Sequence, residues 1–106
     1  MSPQTLDMVK DMVARLVDEF HPWRIYLFGS QARGAAGPQS DVDLMVIVDD
    51  LTESPTRMAR RAYRALRHRK VPLDILFRAS DAFRARAADP STLENQVERE
   101  GILLHG

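Results

Sequence analysis

The sequence predicts an α/β domain, on three observations. Its opening segment is patterned as an amphipathic helix, later runs carry the β-branched and aromatic content of strands, and helical spacing returns between and after them. Leu6, Val9, Met12, Val13, Leu16, Val17 and Phe20 share one helical face behind Ser2-Pro3, a serine N-cap followed by proline at the first helical position. His21-Pro22 ends this helix, because the residue before a proline is pushed out of the α region. Residues 24–28, Arg-Ile-Tyr-Leu-Phe, then read as a short strand running into Gly29. Residues 30–33 suit a helical turn, and residues 34–39, with two glycines and a proline, a loop.

A second strand is expected to begin near Asp41 and to include the apolar run Leu44-Met45-Val46-Ile47-Val48. After a turn at Asp49-Asp50, residues 55–69 return to helical spacing, with Met58, Ala62, Ala65 and Leu66 on one face and arginines on the other. Residues 71–77 form a third strand, and Pro72 near its start suits an edge or a strand beginning. Residues 82–88 read as a helix broken by Asp89-Pro90-Ser91, and residues 92–100 as a last helix closing at Gly101. Ile102-Leu103-Leu104 adds a short strand.

Length and composition narrow the function classes. The 106 residues fit a single domain spanning 1–106, large enough for a core and too small for a second domain that grips a substrate. Fifteen basic residues balance fifteen acidic ones, so no global charge points to a nucleic-acid coat or a membrane-surface protein. Without cysteine there are no disulfides or thiolate metal sites, and His21, His68 and His105 lack ligand spacing, which disfavours zinc. No apolar stretch reaches the roughly 20 residues of a membrane span, and the N-terminus lacks a signal-peptide profile. A cytoplasmic protein is expected.

The chemistry concentrates between Gly29 and Leu44. In an extended strand alternate side chains share a face, so Asp41 and Asp43 project together while Val42 and Leu44 enter the core. Two neighbouring carboxylates call for a cation, and hard oxygen ligands suit Mg²⁺ that also holds substrate phosphates. Asp74 lies within the apolar run Leu73-Asp74-Ile75-Leu76-Phe77, where a charge is costly unless it is paired or metal-bound. On an adjacent strand it would bring three acids to one pair of divalent ions, the arrangement that clamps an in-line phosphoryl displacement. Asp41 and Asp43 would hold the metals, and Asp74 would complete the second and help deprotonate the attacking hydroxyl. Gly29 lets a phosphate approach the backbone, the Ser30 hydroxyl and nearby N–H groups can bind its oxygens, and Arg33 adds charge-assisted contacts. Neither a P-loop nor a dinucleotide-binding glycine pattern is present.

Gly29-Ser30, Asp41-Val42-Asp43 and the distant Asp74 resemble the nucleotidyltransferase superfamily of DNA polymerase beta. The fuller pattern, Gly-Ser-x-Ala-Arg-Gly over 29–34 and Ser-Asp-x-Asp-Leu over 40–44, is similar to its minimal nucleotidyltransferase (MNT) branch, as is the ending Glu100-Gly101-Ile102-Leu103-Leu104. The chain departs from that pattern at Pro72, where β-branched residues are usual, and in a single Asp74, where a doubled acid is common. The resemblance implies a small mixed β-sheet backed by helices, with ATP and two Mg²⁺ at a site of Asp41, Asp43 and Asp74. Gly29, Ser30, Arg33 and Ser40 would then hold the nucleotide. It also implies an antitoxin paired with a helical HEPN ribonuclease toxin, silencing it by transferring AMP to a toxin tyrosine or by binding alone.

A small-molecule nucleotidyltransferase, such as an antibiotic-modifying enzyme, is the further alternative, but those usually add a helical domain for the acceptor. Arginines 57, 60, 61, 64, 67 and 69 with Lys70 form a basic helix and exit, read either as a solvated face or as a docking surface for an acidic partner or RNA. Only Tyr63 interleaves with them, so base stacking is poorly supported and a protein partner is favoured over a nucleic acid. Trp23 and Tyr26 read as core or sheet-surface residues.

Overall fold

A computed structural model of the chain describes residues 3–29, 31–32, 41–67 and 72–106. The elements run α1 (Pro3–Phe20), β1 (Arg24–Phe28), β2 (Val42–Val48), α2 (Pro55–Ala65), β3 (Leu73–Ala79), α3 (Ser80–Ala87), α4 (Leu93–Glu100) and β4 (Ile102–His105). The strands form one mixed sheet in the order β3-β2-β1-β4. β1 pairs antiparallel with both β2 and β4, whereas β2 and β3 are parallel and joined through α2. The expected α/β fold with a mixed sheet backed by helices is what forms. Among the described residues no helix is long and apolar enough to cross a membrane.

Strand alternation divides the core into two layers. Ile25, Leu27, Val42, Leu44, Val46, Val48, Ile75 and Phe77 point to one side, where α1 contributes Val9, Met12, Val13 and Leu16, and α2 contributes Met58 and Ala62, with Leu66 just beyond its end. Tyr26, Met45 and Ile47 point to the other side, beneath Phe83 and Ala87 of α3 and Val97 of α4. Both sides of β2 are therefore covered over most of its length, which is why its sequence is a continuous apolar run rather than an alternating one. Tyr26 stacks on Phe83 with ring centroids 5.8 Å apart. Trp23 is half-buried between the guanidinium groups of Arg24 and Arg84, at 4.2 and 4.6 Å from its ring centre.

Element ends follow local chemistry. α1 stops at His21, whose φ of 48° breaks the helix just before Pro22. Ser54 caps α2 by accepting the Arg57 N–H at 3.2 Å, and Thr92 caps α4 by accepting the Asn95 N–H at 3.1 Å. β3 begins at Leu73 and continues to Ala79, two residues past the expected end. The added residues, Arg78 and Ala79, pair with Ile47 and Val48. α3 consequently starts at Ser80, earlier than the 82–88 expected. The serine cap at Ser2, the helical continuation through 68–69 and the strand start at Val71 lie outside the described residues.

Charged side chains tie helices together, among them Arg61 of the expected basic face. Glu94 is 2% exposed and accepts from Arg86 at 2.8 Å and from Arg78 at 3.2 Å, fastening α4 to α3 and β3. Burial pushes its carboxyl up, but its own backbone N–H and the Arg86 and Arg78 hydrogen bonds outweigh burial and hold it below the usual range. Arg61 of α2 donates to Glu19 of α1 at 2.9 Å and to Glu53, and its guanidinium lies 4.8 Å from the Phe20 ring centre. Those hydrogen bonds to Glu19 and Glu53 raise the Arg61 pKa further.

Candidate active site

The start of β2 is where the sheet carries its acids. Asp41 is exposed just ahead of the strand, and Asp43, half-buried, alternates with Val42 and Leu44 of the α1/α2 side. Asp43 therefore lies on the opposite side, in line with Met45 and Ile47. Across the sheet it stands opposite Phe28 of β1 and opposite Asp74 of β3. Paired residues of neighbouring strands share a face, so Asp43 and Asp74 are side by side although 30 residues apart in sequence. The exposed Asp74 falls between Leu73 and Ile75, which turn to the α1/α2 core.

Gly29 leaves β1 at φ +74°, a left-handed conformation that glycine adopts without strain. A Cβ there would run into the Asp43 carboxylate, with Asp43 Cγ at 3.3 Å. The glycine thus allows the turn to close over the Asp43 side chain. Gln31 is buried and Ala32 packs against the core, so the chain after Gly29 returns to the body of the domain. Ser30, Arg33 and Ser40 lie outside the described residues.

Parallel pairing therefore brings Asp43 and Asp74 together, with Asp41 two residues upstream of Asp43. Among the described residues, no three His, Cys, Asp or Glu side chains stand close enough together to hold a metal ion. Asp43 and Asp74 nevertheless fit a hard divalent cation as a donor pair, being carboxylates on adjacent strands of one face. Two clefts of the described surface lie away from these acids. One of about 270 Å³ is lined by Glu19, Phe20, His21, Asp49, Asp50 and Arg61, at the far end of β2 from Asp43. Another of about 260 Å³ is lined by Glu53 and Arg57, Arg60, Arg61 and Arg64 along α2.

A mixed sheet with an Asp-x-Asp at the start of a central strand, an aspartate in register on the next strand and a glycine turn against the acids is a nucleotidyltransferase arrangement. The chain belongs to the nucleotidyltransferase domain family, whose model matches residues 7–103. No curated protein matches it significantly. Its fold is similar to that of a Sulfolobus solfataricus protein assigned as a nucleotidyltransferase, at 19% identity and TM-score 0.64, over 94% of this chain and 78% of that one. It is also similar to a toxin–antitoxin structure with AMP-PNP, at 22% identity and TM-score 0.58, over 92% and 73% of the two chains. A mutant of the toxin–antitoxin MntA-HpeT has the same fold at 20% identity and TM-score 0.55, over 92% and 72%.

Sequence reasoning passed over Tyr63, whose hydroxyl reaches the backbone on both sides of Asp74. The only signal was its position as a lone aromatic on the arginine-rich side of α2.

Proposed function

We propose that the chain is a Mg²⁺-dependent enzyme that transfers AMP from ATP to a protein hydroxyl, a tyrosine of a cognate HEPN ribonuclease toxin, and so acts in the cytoplasm as its antitoxin. The observation that carries this reading is Asp43 held between the Gly29 turn and Asp74. Membership of the nucleotidyltransferase domain family supports the reaction class, and the toxin–antitoxin proteins of like fold, one with AMP-PNP, motivate the partner and the nucleotide.

Asp41 and Asp43 would hold two Mg²⁺, with Asp74 completing the second. What bound Mg²⁺ supplies is neutralisation of phosphate charge and stabilisation of the attacking and leaving oxygens. Gly29, Ser30, Arg33 and Ser40 hold the triphosphate through backbone N–H groups and side-chain donors. Asp74 takes the acceptor's hydroxyl proton as that oxygen bonds to the α-phosphorus and the bond to pyrophosphate breaks.

The acceptor docks on α2. Arg57, Arg60, Arg64 and Arg67 are exposed and form no ion pair among the described residues, so their charge is free to meet acidic side chains. A hetero-oligomer with the toxin follows. The test is to incubate the chain with ATP, Mg²⁺ and the partner and to weigh the partner. An AMP-sized increment is expected, and its absence with a folded enzyme and intact partner refutes transfer.

A second reading, an antitoxin that neutralises by occlusion alone, is favoured by the exposed Arg57, Arg60, Arg64 and Arg67, a binding surface that needs no chemistry at the acids. Asp41→Asn with Asp43→Asn separates the two, because occlusion survives loss of the acids and transfer does not.

A further inference from the structure

We infer that Tyr63 is a positioning residue for Asp74, its hydroxyl standing in for the missing neighbour strand at the outer edge of β3. The inference rests on the reading of Asp74 as a metal-site acid.

Among the described residues β3 is an edge strand, so every second peptide group turns away from β2 and needs a partner. The Val42 N–H donates to the Pro72 carbonyl at 2.8 Å, which places that carbonyl on the β2 side. By alternation the Leu73 carbonyl and the Ile75 N–H face outward. One phenol meets both, since a hydroxyl is donor and acceptor at once. The Tyr63 hydroxyl accepts from the Ile75 N–H at 3.1 Å and donates to the Leu73 carbonyl at 3.3 Å.

α2 delivers this hydroxyl because Met58, Ala62 and Leu66 lock its inner face into the core beside β3. The residue between the two pinned peptide groups is Asp74, opposite Asp43. The Asp74 carboxylate has no hydrogen bond or ion pair of its own among the described residues, so its backbone sets its place. Tyr63 thereby fixes the Asp43 to Asp74 spacing from the opposite side of the sheet, without touching either acid.

Tyr63→Phe keeps the ring and removes both bonds. Mn²⁺ binding in the presence of a non-hydrolysable ATP analogue is followed by electron paramagnetic resonance, and exchange of the Ile75 amide by NMR. The variant should need roughly 3- to 10-fold more Mn²⁺ for half-occupancy, the factor of about one net hydrogen bond. Its Ile75 amide should exchange faster, and Thr56→Ala, an exposed α2 change, should match wild type in both. A Tyr63→Phe protein with lowered Tm and a wild-type Mn²⁺ titration overturns the inference, leaving Tyr63 a structural bracket only. Asp74→Asn tells the two failures apart. If it loses Mn²⁺ affinity while Tyr63→Phe does not, only the inference falls; if it keeps wild-type affinity, the reading of Asp74 falls and takes the inference with it. Should Tyr63→Phe not fold, the wild-type protein decides: Ile75 exchange should slow when Mn²⁺ and the analogue bind, and an unchanged rate overturns the coupling.

Discussion

Gly29→Ala is the perturbation whose effect can be worked most directly from the structure. Gly29 sits at φ +74°, and holding an alanine there costs about 1–2 kcal/mol. The new methyl also meets the Asp43 carboxylate, while Asp43 Cγ and Cβ lie at 3.3 and 3.6 Å from it. The carboxylate end must therefore turn away while the stem stays in place. This second effect displaces the acid from its position opposite Asp74. With each kcal/mol shifting Tm by roughly 4–8 °C in a domain of about this size, the Ala variant should melt at least about 4 °C lower. Thermal scans with and without Mg²⁺ and ATP check both effects, because the ligand-dependent rise in Tm should also shrink. Gly29→Asn separates them, since asparagine tolerates the left-handed region and should recover part of the Tm but none of the ligand response. An alanine variant with wild-type Tm and wild-type ligand response refutes the argument.

Three other expectations follow from the same contacts. Glu94→Ala strands Arg78 and Arg86 and should cost about 2 kcal/mol in denaturant unfolding, less than a fully buried pair because both arginines reach water. Since the Glu94 pKa is lowered on folding, its contribution is whole above the ordinary glutamate range and is lost as pH falls through and below it. A Glu94→Gln protein should lack that part of the acid-side decline, and parallel pH-stability curves would contradict this. Asp74→Asn removes one of two like charges in register and should raise metal-free stability by roughly 0.2–1 kcal/mol while weakening Mg²⁺ binding, so a lower metal-free Tm would count against side-by-side carboxylates. Reversing Arg57, Arg60 and Arg64 to glutamate should leave the fold intact by circular dichroism and abolish capture of the toxin in a pull-down, whereas retained capture places the docking surface elsewhere.

Much of this protein was legible from local pattern. The helical repeat from Val9 to Leu16, the strand alternation that sends Asp43 away from Val42 and Leu44, and the turn at Gly29 all depend on residues a few positions apart. Element ends were less legible where a neighbour decided them. β3 runs on to Ala79 because β2 offers Val48 as a partner, and no propensity within residues 77–79 announces that.

The sequence by itself determined which acids are present, that Asp43 alternates with the core residues Val42 and Leu44, and that a glycine precedes the acids. Only the tertiary structure decided that Asp74 stands opposite Asp43, because a parallel register is set by how α2 packs across the sheet, not by any short-range spacing. The same holds for Tyr63 at the edge of β3 and for Glu94 beneath its two arginines. Each is an ordinary residue in its own helix and acquires its role only from the strand or helix brought against it.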